Sequence, residues 1–189
     1  MTLAISAISI CNSGLIKLGQ EPISSLAQDT KTARLCNAIF EVCRNEVLEA
    51  HPWCFATKTQ ELASVVAEDT LEIWQYLYQL PADFLKPVLV DDEKQEYEIR
   101  DGYLMADNEP VVLKYIYENT NTGTWSYSFA QCLSWRIAAE IAYALTNSTT
   151  IAEAMFKGYD MSLRAARYND SLKKAPHKVI LDSFIDVRN

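Results

Sequence analysis

Trp74-Gln75-Tyr76-Leu77-Tyr78-Gln79-Leu80-Pro81-Ala82-Asp83-Phe84 is the stretch that decides between an all-helical chain and a mixed one. Trp74, Tyr76, Tyr78 and Leu80 alternate with Gln75, Leu77 and Gln79, so an extended strand places all four on one face. Pro81 then ends the ladder, because it has no backbone N–H to donate. The segment carries large aromatic surface and no catalytic group. Trp74, Tyr76 and Tyr78 are therefore candidates for a subunit or partner interface, where Tyr and Trp are favoured. The competing reading is that they fill the core of a thin sheet.

Outward from this strand, the period changes twice. Residues 3–18 read as a first helix, with Ile5, Ile8, Cys11, Leu15 and Leu18 on one face, Gly19 placed to end it, and Pro22 beyond. A second helix spans about 30–50, carrying Cys36, Ile39, Phe40, Cys43, Val47 and Ala50 as its stripe, and His51-Pro52 stops it. From Phe55 to Tyr117 the period moves toward two, with strands expected at 55–62, 73–80, 86–90, 96–100, 103–105 and 111–117. Asp101-Gly102 is a two-residue hairpin signal.

Helical spacing returns near Ser128. Phe129, Leu133, Ile137, Ile141 and Ala144 mark a third helix, and Thr150-Ile151-Ala152-Glu153 matches a capping box opening a fourth. The stripe of that fourth helix is Ala152, Met155, Tyr159, Leu163 and Ala166. The expected fold is α+β: a four-helix bundle formed by N- and C-terminal helical hairpins with an inserted small antiparallel β meander. The expected organisation is one structural unit, with residues 1–54 and 126–172 in the bundle, 55–125 as a β-rich excursion, and 173–189 as a C-terminal tail. The tail holds an apolar knot whose Phe184 and Ile185 are further interface candidates.

Composition narrows the function classes. The 189 residues carry only five glycines, which argues against glycine-rich phosphate loops and flexible linkers. The stretch from Leu3 to Cys11 is broken by serines and lacks a basic flank, unlike a signal peptide or membrane span. The five cysteines are scattered with no C-x₂-C pair, and Cys36 and Cys43 would lie ~10 Å apart on a helix, too far for a disulfide. Buried free thiols in a reducing cytoplasm are the expectation. The formal charge is −8. Residues 41–118 hold a net −11 and residues 157–189 a net +3, so acidic and basic surfaces could meet between copies. This balance disfavours a protein that grips nucleic acid by its phosphates.

No catalytic constellation emerges. His51 and His177 are the only histidines, and Cys54 beside His51 has no orienting third group close in sequence. Most carboxylates fall in polar runs such as Asp91-Asp92-Glu93. Glu140 lies among alanines and isoleucine, but Arg136 one helical turn earlier offers it an ion pair. No metal-ligand spacing is present, and no cofactor is expected.

Five segments, in order, resemble the tail tubular protein A family of short-tailed bacteriophages. They are Leu-x-x-Leu-Gly-Gln-Glu-Pro-Ile (Leu15 to Ile23), Lys-x-Ala-Arg-Leu-Cys (Lys31 to Cys36) and His-Pro-Trp-x-Phe-Ala-Thr (His51 to Thr57). Tyr-x-Tyr-x-Leu-Pro-x-Asp-Phe-Leu (Tyr76 to Leu85) and Leu-x-x-Arg-Ile-Ala-Ala-Glu-Ile-Ala-Tyr-Ala-Leu-Thr (Leu133 to Thr146) complete the set, which covers about residues 6–170. Lys86 departs from the pattern, where arginine would be expected. The resemblance implies a non-enzymatic structural protein of the virion tail, assembled in the host cytoplasm. It would be a head–tail adaptor forming a ring of about a dozen copies between the portal protein and a tail nozzle like tail tubular protein B. DNA would pass through the lumen without specific binding, no membrane would be involved, and the chain could be monomeric until it meets the portal. Two rivals stand beside this: a tail-associated peptidoglycan hydrolase, and a head-completion or neck protein of a long-tailed phage or prophage.

Overall fold

The computed structural model describes residues 5–65, 73–91 and 96–173. Four helices are present among them: α1 (Ala7–Lys17), α2 (Lys31–Glu49), α3 (Tyr127–Thr146) and α4 (Thr149–Ser171). Between α2 and α3 run β1 (Thr57–Leu62), β2 (Ser64–Val65), β3 (Tyr76–Gln79), β4 (Phe84–Val90), β5 (Tyr97–Arg100), β6 (Tyr103–Ala106) and β7 (Val111–Tyr117). A short 3₁₀ turn, Thr122–Thr124, precedes α3.

Helix ends obey local chemistry. Ser6 and Ser9 cap α1 reciprocally at its N-terminus. At its other end, Gly19 takes φ 68° and the Gln20 N–H donates to the Leu15 carbonyl at 3.0 Å, a Schellman closure. The α4 cap differs from the expected Thr150–Glu153 box. Ser148 is the N-cap and accepts from the Ile151 N–H, so the helix starts earlier. Asn147 at φ 51° separates α3 from α4, a left-handed step that asparagine tolerates.

The expected four-helix bundle with a small meander is corrected in both halves. The helices do not pair as two hairpins. The chief helix–helix contacts are those of α3 with α1, α2 and α4, whereas α1 and α2 barely meet. The physical reason is in α3 itself. Ala130, Ser134, Ala138, Ala139 and Ala142 are all buried beside Phe129, Leu133, Ile137 and Ile141, so small residues let helices approach it from several sides. An added Cβ at Gly14 of α1 would stand 2.9 Å from the Ser134 carbonyl oxygen, and one at Gly158 of α4 would run into the Trp135 ring. Both glycines mark close crossings against α3.

The β region is substantial, with seven strands among the described residues, in two antiparallel sheets ordered β1-β7-β4 and β2-β3-β6-β5. It is not a meander, because β1 pairs with β7 and β3 with β6. The sheets face each other across their own core. Leu62, Val90, Val111, Leu113 and Tyr115 from the first meet Tyr78, Leu104 and Ala106 from the second. Asp101 (φ 53°) and Gly102 (φ 82°) form the expected turn between β5 and β6. β7 serves two interiors. Val111, Leu113 and Tyr115 enter the sandwich, while Ile116 turns to the other face and joins the helical core.

The Gly14→Ala variant is expected to lose about 1–3 kcal/mol, because the obstructing atom is backbone and cannot rotate away. Urea unfolding monitored by far-ultraviolet circular dichroism measures this.

Candidate functional site

The aromatic face that the sequence singles out points inward. Tyr78 is fully buried in the sandwich core, and Tyr76 and Leu80 pack half-buried against it. The Tyr78 hydroxyl donates to the Asn108 carbonyl. Asn108 in turn donates to Asp91, whose other carboxylate oxygen accepts from the Val112 N–H at 2.6 Å. Trp74 is half-buried before β3, and its indole N–H donates to Glu98 Oε2 at 3.1 Å. This face is chiefly construction, and a partner would find only the outer parts of Trp74 and Tyr76. Phe184 and Ile185 lie outside the described residues.

Three polar clusters test for chemistry. In the first, Asp170 in the last turn of α4 is wholly buried, and its Oδ2 accepts from the Cys54 N–H at 2.9 Å. His51 Nε2 lies 3.4 Å from the same oxygen, and Lys173 Nζ is 3.5 Å from Oδ1. Asp170 is the third group that sequence proximity could not supply to His51 and Cys54. The thiol, however, donates to the Asp170 main-chain carbonyl at 3.7 Å, and the carboxylate gathers donors from the α2–β1 connection. Its role is to fasten the end of α4 to that connection. Cys54 is exposed, unlike the other four cysteines, which are buried as expected.

In the second cluster, Lys17 Nζ reaches Ser134 Oγ at 2.8 Å and Ser13 Oγ at 2.9 Å, and lies 5.0 Å from the Trp135 ring centre. Burial pulls its amine down to about 8 from the ordinary 10.5. A narrow apolar groove of about 190 Å³ opens beside it, lined by Ile5, Ser9, Ser13 and Tyr127 among others. Serine with lysine can be a nucleophile pair. Here Ser134 is buried and donates to the Gln131 carbonyl at 2.7 Å, and Lys17 also donates to the Ser13 carbonyl at 3.1 Å. The arrangement clamps α1 to α3.

The third cluster centres on Arg136, which pairs with Glu140 along α3 and with Glu46 of α2 at 2.8 Å. Its guanidinium also lies 5.3 Å from the Phe156 ring. Glu140 is exposed rather than set in an apolar pocket. Among the described residues, no group of three His, Cys, Asp or Glu side chains is placed to hold a metal ion, and no helix is long and apolar enough to cross a membrane.

Several large apolar side chains stay outside: Met161 and Tyr168 on α4 and Leu172 at its C-cap are 71%, 65% and 66% exposed. Nearer its start, α4 forms with Tyr143 of α3 an open groove of about 550 Å³ lined by Ala152, Phe156 and Lys157. Helix α4 buries only Ala166 and Asp170 along its 23 residues. The inward stripe of this helix is the one that periodicity brings out first, and the second stripe lies outside it.

These clusters generate two expectations. Asp170→Ala removes the buried acceptor of the Cys54 N–H and should cost about 1–3 kcal/mol, with Asp170→Asn milder because its amide oxygen still accepts; denaturant midpoints measure both. For Lys17 the folded state releases its proton near pH 8 and the unfolded chain near 10.5, so the unfolded state binds more protons between them. The stability of the wild type relative to Lys17→Met should therefore rise with pH across that window, read as the difference between their melting temperatures.

No known protein-family model matches this chain, and no curated protein sequence matches it.

Proposed function

We propose that this chain is a ring-forming head–tail adaptor of a phage tail, joining a portal protein to a tail nozzle and enclosing a passage for DNA. The observation that carries the reading is the apolar surface left on α4, where Met161, Tyr168 and Leu172 recur on one outward face. The five segments that resemble the tail tubular protein A family support it by where they fall. Leu15–Ile23 forms the Schellman end of α1 and the start of the loop beyond it, Lys31–Cys36 opens α2, and Leu133–Thr146 is most of α3. His51–Thr57 and Tyr76–Leu85 build the exit from α2 and the β3–β4 step. The resembling residues are thus largely those that hold the subunit together, which suits a shared scaffold with variable contact surfaces.

The acidic balance suits a passage that does not hold DNA, since each neutralised phosphate would add a salt-dependent grip. A peptidoglycan hydrolase has less to support it, because Glu140 is exposed and ion-paired to Arg136. A neck protein of a long-tailed phage shares the structural logic and differs in its cognate partners.

The test is incubation of the purified chain with its cognate portal, then negative-stain electron microscopy. A layer of ring density added to one end of the portal is the expected result. A portal that remains bare at saturating adaptor concentration would overturn the reading.

A further inference from the structure

Helix α4 is apolar on two sides. Its inward stripe, Ala152, Met155, Tyr159 and Leu163, packs on the helical core. On the far side Met161, Ala165, Tyr168 and Leu172 are all exposed, and this outer stripe runs to the C-cap itself. From Met161 to Leu172 the exposed charges are Arg164 and Arg167, the latter also donating to the Ala50 carbonyl, and the one carboxylate, Asp170, is buried.

The chain that continues from the end of this stripe is its complement. Residues 174–189 lie outside the described residues, and their sequence is apolar at Val179, Ile180, Leu181, Phe184, Ile185 and Val187. At helical spacing the last five of these share one side, opposite Asp182, Ser183 and Asp186. Between residues 179 and 187 the two aspartates are the only charges, with Lys178 and Arg188 just beyond the ends. Length agrees as well. A helix from Lys178 to Val187 measures about 15 Å, and the outer stripe from Met161 to Leu172 about 16 Å. The link between them, Lys173 to His177, is five residues long and holds Pro176, which suits a turn between antiparallel helices. Laid back antiparallel, the segment brings Asp186 level with Arg164, since each stands eight residues from its side of the link. So short a tether holds the segment at an effective concentration of about a millimolar, against which any second molecule must compete.

We infer that residues 178–187 fold back as a helix on the outer stripe of α4 of the same chain, closing a hairpin over it. The segment withholds that apolar face until a partner displaces it. Displacement by a portal rests on the adaptor reading, whereas the closed hairpin does not.

Hydrogen–deuterium exchange of the full-length chain, read by mass spectrometry on peptides covering residues 178–187, tests the contact. The wild-type amides there should exchange about tenfold or more slowly than an unstructured chain, equally at low and high micromolar concentration. Met161→Glu and Tyr168→Glu should each remove most of that slowing. Both positions are exposed, and slow exchange in α3 verifies that the variants stay folded. A wild-type tail that exchanges at the unstructured rate overturns the inference, as does slowing that both variants retain. Slowing that emerges only as concentration rises assigns the segment to a second copy and overturns it too. Addition to the portal is read separately. A chain that adds to the portal with an unprotected tail loses this contact alone, and one with a protected tail that ignores the portal loses the adaptor reading alone.

Discussion

The fold depends on closing a long excursion at its root. The chain leaves α2 at residue 50 and returns to α3 only at residue 127, and bringing those ends together has an entropic cost. The closure is made by a buried aromatic cluster and the hydrogen bonds around it. Trp53 is fully buried, donates its indole N–H to the Val47 carbonyl at 2.8 Å, and stands edge-on to Phe129 at 5.2 Å. Phe55 and Trp125 meet the same Phe129 ring at 4.9 and 5.1 Å. One residue from the outgoing path, Phe55, offers its carbonyl to both the Tyr117 hydroxyl and the Asn119 amide on the return path. Outgoing and incoming chain are thus tied to each other and to the first turn of α3 in one place.

From that root, two interiors grow with different chemistry. The helical one is arranged around α3, whose alanines and serine admit three neighbours instead of one. The clamps are polar at its margins: Lys17 to Ser134, Arg136 to Glu46, and buried Arg44 to Glu118 at the exit of β7. The sandwich interior is aromatic and aliphatic, with polar pins at its rim. Asp83 there accepts from Tyr115 at 3.0 Å and from Lys58 at 2.5 Å. Burial alone would raise the Asp83 carboxyl, and these two donors outweigh it, leaving it below the ordinary range. Tyr115, buried and facing that carboxylate, is pushed up to about 12.

Element positions are legible in the sequence because they are written in local periodicity. The Gly19 stop, the Asp101-Gly102 turn and six of the seven strands each carry a signal within a few residues. The architecture is not legible, because partner choice between short strands is nonlocal. Nothing in Thr57–Leu62 announces that it will pair with Val111–Tyr117 rather than with its nearer neighbours. Tyr76 and Tyr78 show the same limit: alternation assigns them to one face but not to the inside or the outside. Asp170 carries a signal of its own. It sits four residues after Ala166 on the inward stripe, and a carboxylate at such a position requires buried donors. The outer stripe of α4 is equally present in the spacing, hidden only because one helix face is ordinarily enough.

Thr57 stands opposite Ile116, so both crossings between helices and sandwich lie side by side at the end of one hydrogen-bonded ladder. A single covalent connection would act as a tether and let the sandwich swivel. Two laddered connections, with Ile116 inserted among the helices, act as a bracket. Torque applied at the far tip of the sandwich is then opposed at its root by two paired strands and a buried side chain, not by a single backbone link.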